Sequence, residues 1–265
     1  MSEEKYSVPT VAELSAKGRA PEILFWVGCA GSFDDRYKRV TGALVKILNA
    51  VGVDFAVLGP EETCTGDPAR RAGNEFLFQM QAMNNIQLMN GYNIKKIVTA
   101  CPHCFNIIKN EYPELGGNYE VIHHSQFIQE LINKGKIVLK GDGGFKGKKI
   151  TYHDSCYLGR ANDVYVAPRD VLQALDADLV EMKRCRTTGL CCGAGGAQMF
   201  KEPEKGKKDI NVERAEEAIQ TGAKTIAVAC PFCMTMMSDG VKAKNKETEV
   251  TVKDLAELIA EAQGL

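Results

Sequence analysis

Cysteine is the residue type whose number and spacing carry chemistry in this sequence. Ten are present: Cys29, Cys64, Cys101, Cys104, Cys156, Cys185, Cys191, Cys192, Cys230 and Cys233. Cys156 is followed after 34 residues by the pair Cys191-Cys192, and after 37 more by Cys230-Pro231-Phe232-Cys233. Five thiolates exceed the four ligands of a zinc site, and an ordinary four-iron cubane also takes four cysteines. An adjacent pair is awkward for a single tetrahedral ion, because neighbouring side chains diverge. A larger iron–sulfur group with irons at several positions accepts both. Gly193, Gly195 and Gly196 follow the pair and fit such a group: backbone without Cβ can approach a bulky inorganic core, and its amide N–H groups can donate to cluster sulfurs and raise the potential.

The same spacing occurs twice. Cys29 and Cys156, like Cys64 and Cys191, are 127 positions apart; Cys101 and Cys230, like Cys104 and Cys233, are 129 apart. The flanks agree, IVTACPHCF paralleling IAVACPFCM and GYNIKKI paralleling TGAKTIAV. Fixed-period self-similarity is the mark of an internal duplication. Each half repeats one order of elements. A buried strand (Ile23 to Val27; Ile150 to His153) delivers the first cysteine at its carboxyl end. A helix follows, Asp35 to Ala50 with Val40, Leu44, Ile47 and Leu48 on one face, or Pro168 to Leu175. A second strand (Asp54 to Leu58; Asp178 to Met182) enters the Gly-containing turn CTG or CCGAGG. A longer helix (Gly73 to Asn90; Asn211 to Thr221) precedes the last strand, which ends in C-P-x-C. Strands alternating with helices predict an α/β fold of two tandem half-domains, each a small parallel sheet flanked by helices. Ligands then gather at the carboxyl ends of the strands. The divisions expected are an N-terminal lead over 1–22, a first domain over 23–140 and a second over 141–265. The linker is Gly135 to Lys149, and its lysines, like those of Lys201 to Lys208, read as solvated loop.

Composition excludes several classes. In 265 residues, 33 Lys+Arg against 34 Asp+Glu give a net charge of −1, which provides no general pull toward nucleic acid or anionic lipid. No signal peptide is visible and no apolar run is long enough to span a bilayer, so the expectation is a cytoplasmic protein with no direct membrane span. A chain of this length needs no disulfide staples. In a reducing compartment regularly spaced cysteines read as metal or redox ligands.

The stretches EETCTGDPARRAGNEFLFQMQA, CPHCFNIIKNEYPELGGNYEVIHH, TYHDSCYLGRAND, GLCCGAGGAQMF and CPFCMTMM resemble the cysteine-rich CCG domain of heterodisulfide reductases and their relatives, the heterodisulfide-reductase-related iron–sulfur oxidoreductases. They are most similar to the C-terminal catalytic portion of the membrane-associated members, and the likeness runs from about Ile23 to the C-terminus. The resemblance implies two tandem CCG domains, with a noncubane [4Fe-4S] cluster on Cys156, Cys191, Cys192, Cys230 and Cys233. The first half departs from the family pattern, since Thr65 follows Cys64 where a full motif has a second cysteine. Cys29, Cys64, Cys101 and Cys104 remain, read as ligands of a second, altered or cubane iron–sulfur cluster, as a structural Zn site, or as vestigial thiols that pack. Two-cluster relatives cleave a disulfide between two noncubane clusters, and Thr65 sets this chain apart from them. The function implied is an iron–sulfur electron-transfer or catalytic subunit passing electrons to or from a disulfide, quinone or flavoprotein; the alternative is a non-catalytic zinc-binding or interaction subunit. By the same resemblance, membrane-associated relatives carry a haem-binding segment and a ferredoxin-like module ahead of this region, and neither is expected in this chain. Ferredoxin-like, flavoprotein or membrane electron-transfer subunits are therefore the expected partners, with a location peripheral to the membrane through them.

Other residues are weighed beside this reading. CPHC alone resembles a thiol–disulfide oxidoreductase motif, but it belongs to a longer set with CPFC as its twin. His153, whose repeat counterpart is Trp26, is the candidate catalytic residue, a proton donor beside the redox centre, against the plainer reading of a satisfied histidine. His103, His123 and His124 read as structural. Arg70 and Arg71, near the first helix's N-terminal end, could balance an anionic cluster or hold an anionic substrate, or lie on a plain surface. Cys185 has no repeat partner and reads as a free thiol. Met234, Met236 and Met237 read as core packing, and Asn74, Glu75 and Gln79 carry no signal.

Overall fold

The computed structural model describes residues 6–139, 144–202 and 205–265. Its first sheet contains β1 (Ile23–Trp26), β2 (Phe55–Ala56), β3 (Lys96–Thr99) and β4 (Glu120–His123), all parallel in the order β2-β1-β3-β4. The second contains β5 (Lys149–Tyr152), β6 (Asp178–Leu179), β7 (Thr225–Val228) and β8 (Thr251–Asp254), parallel in the order β6-β5-β7-β8. The identical order is the duplication expressed in structure. All four side chains of β1, Ile-Leu-Phe-Trp, are buried, as a parallel strand covered on both faces requires.

The helices of the first half are α1 (Val11–Ser15), α2 (Gly28–Phe33), α3 (Lys38–Ala50), α4 (Asp67–Arg71), α5 (Glu75–Gly91), α6 (Pro102–Asn110) and α7 (His124–Asn133). Those of the second are α8 (Val166–Ala174), α9 (Ile210–Gln220), α10 (Pro231–Ala243) and α11 (Leu255–Gln263). The halves are interlocked through them. The final helix of each packs on the helix that leads into the second strand of the other: α11 on α3, and α7 on α8. Both final helices start with a capping box, His123 with Gln126 and Asp254 with Glu257, which fixes their first turns through two otherwise orphaned N–H groups.

Several expectations shift in detail. The second strand of each half shrinks to two residues at the end of its sheet. The C-P-x-C strand is third of four, because β4 and β8 pair beyond it. The lead is attached to the first sheet: Thr10 forms a parallel bridge with Val57, and Val11 and Leu14 of α1 are buried. Arg70 and Arg71 close the short α4, ahead of the long helix. The expected domain boundary and the middle of the linker, at 140–143, lie outside the described residues, as do 1–5 of the lead and 203–204. On either side of 140–143, Ile137 and Phe145 are buried. No helix among the described residues is long and apolar enough to cross a membrane.

Candidate metal centre

Each cysteine stands just past the carboxyl end of a strand or on a loop beside it. Cys29 enters α2 after β1, and Cys156 follows β5. Cys101 and Cys230 are the N-caps of α6 and α10, with Pro at the next position and Cys104 or Cys233 in the first turn. Proline is at home there, since the first helical N–H has no intrahelical partner. Cys64-Thr65 and Cys191-Cys192 lie on loops followed by Gly66 and Gly193, at φ 89° and 92°, a left-handed conformation that glycine adopts without a Cβ clash.

A carboxylate ties the first two cysteine loops together in each half, from opposite sides. In the first, Glu62 accepts from the amides of Val27 and Gly28 at 3.0 and 2.5 Å; burial lifts its pKa to about 7. In the second, Asp154 accepts both Nη groups of Arg169 at 2.9 and 3.0 Å and the Arg186 amide at 2.7 Å, while Arg169 also binds Glu181.

In the second half the five predicted ligands come together. Cys156 contacts Cys191, Cys191 contacts Cys192, Cys192 lies 3.5 Å from Cys233, and Cys233 contacts Cys230. The Gly193 amide donates to Cys191 Sγ at 3.3 Å. Gly193 is the one of the three predicted glycines whose amide reaches a cysteine among the described residues; Gly195 and Gly196 continue the loop beside open space. The first half reproduces this with one change. The Gly66 amide donates to Cys64 Sγ at 3.5 Å, Cys29 contacts Cys64, and Cys104 contacts Cys101. Thr65 takes the place of Cys192, its hydroxyl 3.9 Å from Cys104 Sγ. These four cysteines, with His103 and the second half's Phe232, line one narrow cleft.

Thiols this close cannot all ionise by themselves. Hydrogen bonds from Cys156 and Cys192 push the Cys191 thiol down, and the same contacts push Cys156 and Cys192 up. Cys230 is held well below the usual thiol range against burial, by Cys233 and His103. In the first half Cys64 falls to about 6 through its bond with Cys29, which rises in turn. A bound cation removes this conflict by deprotonating its thiol ligands, and soft thiolate sets select zinc, copper(I) or iron–sulfur groups. A five-thiolate set with an adjacent pair fits a multi-iron group.

His153 lies beside these ligands, a ring nitrogen within 4.8 Å of the Cys192 and Cys233 sulfurs. Arg214 Nε donates to His153 Nδ1 at 2.9 Å. An arginine N–H can only donate, so the ring proton sits on Nε2, which is buried and has no partner among the described residues. Burial and the Arg214 charge lower its pKa to about 3, leaving a neutral imidazole with one N–H to give. Arg214 is itself fully buried and donates to the Arg184 carbonyl at 2.7 Å and to Glu217 at 3.1 Å. It was invisible to sequence reasoning, because an arginine in an ordinary amphipathic helix gives no local sign of burial.

The remaining candidates are placed as follows. Arg70 pairs with Glu111 at 2.6 Å and Glu75 at 3.3 Å, and Arg71 with Asp67 at 3.0 Å and with Glu111, so both charges are met by carboxylates. Cys185 sits among Glu181, Arg169, Asp154 and Arg186, its thiol raised by burial. Met234 and Met237 are buried and Met236 half-buried. His103 bonds Asp67 at 2.8 Å, and this pair with Cys230 lifts its pKa to about 10 against burial. His123 and His124 are buried where the halves meet: His124 Nε2 bonds Asp254 at 2.8 Å, and His123 bonds the backbone at Ala100 and Ala229, just ahead of Cys101 and Cys230.

Burial and the adjacent His124 hold the His123 pKa well below its usual value. The folded chain therefore refuses a proton that the unfolded chain accepts below a pH of about 6.5. That difference makes stability fall as pH drops through this value. His123→Gln should flatten the dependence, read as denaturation midpoints at pH 5 and pH 7.5; an unchanged acid slope would assign it to other groups.

A family described as a cysteine-rich domain, CCG, matches residues 23–109 and again 150–238. The chain is 46% identical to the probable iron-sulfur-binding oxidoreductase FadF of Bacillus subtilis, over 96% of this chain and 36% of that protein. It is 46% identical to the EtfAB:quinone oxidoreductase of Syntrophomonas wolfei, over 94% and 35% respectively. With one of the subunits of the dihydromethanophenazine:CoB–CoM heterodisulfide reductase of Methanosarcina barkeri it shares 35% identity, over 92% and 59%. The chain thus spans about a third of the length of the two bacterial relatives.

Proposed function

The chain belongs to the CCG cysteine-rich domain family, and from that premise we propose that it is the iron–sulfur electron-transfer part of a heterodisulfide-reductase-like oxidoreductase. Its cofactor on this reading is a noncubane [4Fe-4S] cluster on Cys156, Cys191, Cys192, Cys230 and Cys233. The observation that carries the proposal is the convergence of those five thiols from two strand ends and the Cys191-Cys192 loop, one more than the four ligands of a tetrahedral ion. The relatives' names, an iron–sulfur-binding oxidoreductase, a quinone oxidoreductase and a heterodisulfide reductase, support an oxidoreductase role.

When bound, the cluster supplies one-electron transfer. The chain's own groups set the conditions. The Gly193 amide on Cys191 and the free Nε2–H of His153 place donors where a reduced cluster gains negative charge, and such donors raise the potential. Arg214 keeps the His153 proton on the nitrogen that remains free to donate. His153 thus acts as a neutral hydrogen-bond donor. The first set has four thiols and a threonine, a donor count that suits a four-ligand cluster or Zn. Electrons would arrive from a ferredoxin-like, flavoprotein or membrane subunit and leave toward a disulfide, quinone or flavoprotein, with the chain held peripherally by such partners.

Anaerobic purification with iron, sulfide and zinc analysis tests this reading. A brown protein with about four or more irons and matching sulfide per chain is expected. A colourless protein with stoichiometric zinc would overturn it.

A further inference from the structure

The first cysteine set is spaced too widely for a single ion. Cys29, Cys64, Cys101 and Cys104 line one cleft with Thr65. Zinc binds thiolate sulfur at about 2.3 Å, so no two ligands of one zinc stand more than about 4.6 Å apart. Among the described residues no three of these four sulfurs come within 4.8 Å of one another; the group that meets this limit is His153, Cys192 and Cys233 in the other half. Nor do the thiols pack as an idle remnant. Protein interiors fill their space, whereas this cleft stays open: Cys29 is exposed and Cys64 half-buried, with Cys101 and Cys104 each 6% exposed. Donors for a bound anionic group are present as well. The Gly66 amide donates to Cys64 Sγ at 3.5 Å, as the Gly193 amide does to Cys191 Sγ at 3.3 Å. At Gly28, with φ 77°, a Cβ would stand 3.4 Å from Cys104 Sγ, so the backbone passes close to that sulfur. Trp26 takes the repeat position of His153, and its indole N–H, like the His153 Nε2–H, is buried with no partner among the described residues. Buried donors without an acceptor are rare, and both halves keep one at the same place in the fold.

We propose that Cys29, Cys64, Cys101 and Cys104 hold a second iron–sulfur cluster, with Thr65 outside the ligand set, so that the chain carries two clusters of different kinds. The choice of iron rests on the cluster reading above. Four cysteines suit a [2Fe-2S] or a [4Fe-4S] group. In both, the ligands are shared among several irons, which lets the sulfurs stand farther apart than one ion allows. The Thr65 hydroxyl lies 3.9 Å from Cys104 Sγ where Cys192 lies 3.5 Å from Cys233. It is a harder donor than a thiolate, so the fifth ligand of the other half has no counterpart here.

The test loads the full chain anaerobically with iron, sulfide and zinc offered together, then measures all three in the wild type and in Cys29→Ser, Cys104→Ser and Cys192→Ser. Electron paramagnetic resonance of the reduced samples is recorded alongside. Beyond the irons of the second set, the wild type should carry about two more for a [2Fe-2S] group or about four more for a [4Fe-4S] group, with matching sulfide. Cys29→Ser and Cys104→Ser should lose those extra irons and one resonance while keeping the other, and Cys192→Ser should keep the first-set irons and their resonance. Cys29 is exposed, so its variant decides by the same readout if Cys104→Ser does not fold. One zinc per chain that disappears in Cys29→Ser would overturn the proposal. So would a wild type whose irons are all retained in both first-set variants and lost in Cys192→Ser, and that outcome leaves the functional reading intact. A wild-type chain without iron would overturn the functional reading, and this proposal with it.

Discussion

Cys192→Ser is expected to remove the noncubane cluster proposed above, while Cys185→Ser leaves iron content and spectrum unchanged. Cys192 is 3% exposed, lies 3.5 Å from Cys233 and contacts Cys191. Losing it reduces the second set to the four-thiol arrangement that the first set shows around Thr65. A serine hydroxyl is a harder, less acidic donor that does not replace a thiolate on iron. Cys192→Thr is the sharper variant, because it copies the first half directly. Cys185 is surrounded by Glu181, Arg169, Asp154 and Arg186, so its removal touches a loop and no ligand. Iron and sulfide analysis with visible spectra of both variants, purified side by side, reads the difference. Equal and negligible effects would refute the ligand assignment.

The second large effect belongs to Arg214. Its guanidinium has no solvent exposure, and it serves His153, Glu217 and the Arg184 carbonyl together. Arg214→Met retains much of the volume and removes every donor. Breaking a buried charged network from one side costs about 3–5 kcal/mol, because the groups left behind lose their partners inside the protein. The same change frees His153 Nδ1 and with it the choice of tautomer. Two readouts are therefore expected to move, the unfolding midpoint and the cluster spectrum. In a His153→Phe background the cost of Arg214→Met should shrink by roughly 0.5–3 kcal/mol, the coupling expected of residues in one network. Strict additivity would show that the Arg214 to His153 bond carries no energy of its own.

What could be read from the sequence, and what could not, follows from range. Cysteine spacings survive as offsets of 127 and 129, so the duplication and the grouping of ligands needed no coordinates. The strand running into each C-P-x-C, KIVT or TIAV, was legible because short β-branched runs bounded by turn residues are local patterns. The strands expected at Asp54 to Leu58 and Asp178 to Met182 shrank because an edge has a neighbour on only one side, and pairing is not a local property. β8, with the sequence Thr-Val-Lys-Asp, is too short and polar to announce itself. Arg214 under His153 and Asp67 beside His103 are contacts across 61 and 36 positions. Nothing in either neighbourhood marks them, whereas Thr65 was legible as a departure because its twin supplies the comparison.

The crossing of α11 onto α3 and of α7 onto α8 has a consequence for how the chain is made. Synthesis delivers α3 early and α11 more than two hundred positions later, so the emerging first repeat waits with a face of α3 uncovered. Closing that face needs a contact of very large sequence separation, the kind that slows folding and leaves partly built chains prone to stick to one another. On the ribosome the two repeats do not mature one after the other. The first is completed by the last helix of the second, and an unfinished chain would be a natural client for chaperones until that helix arrives.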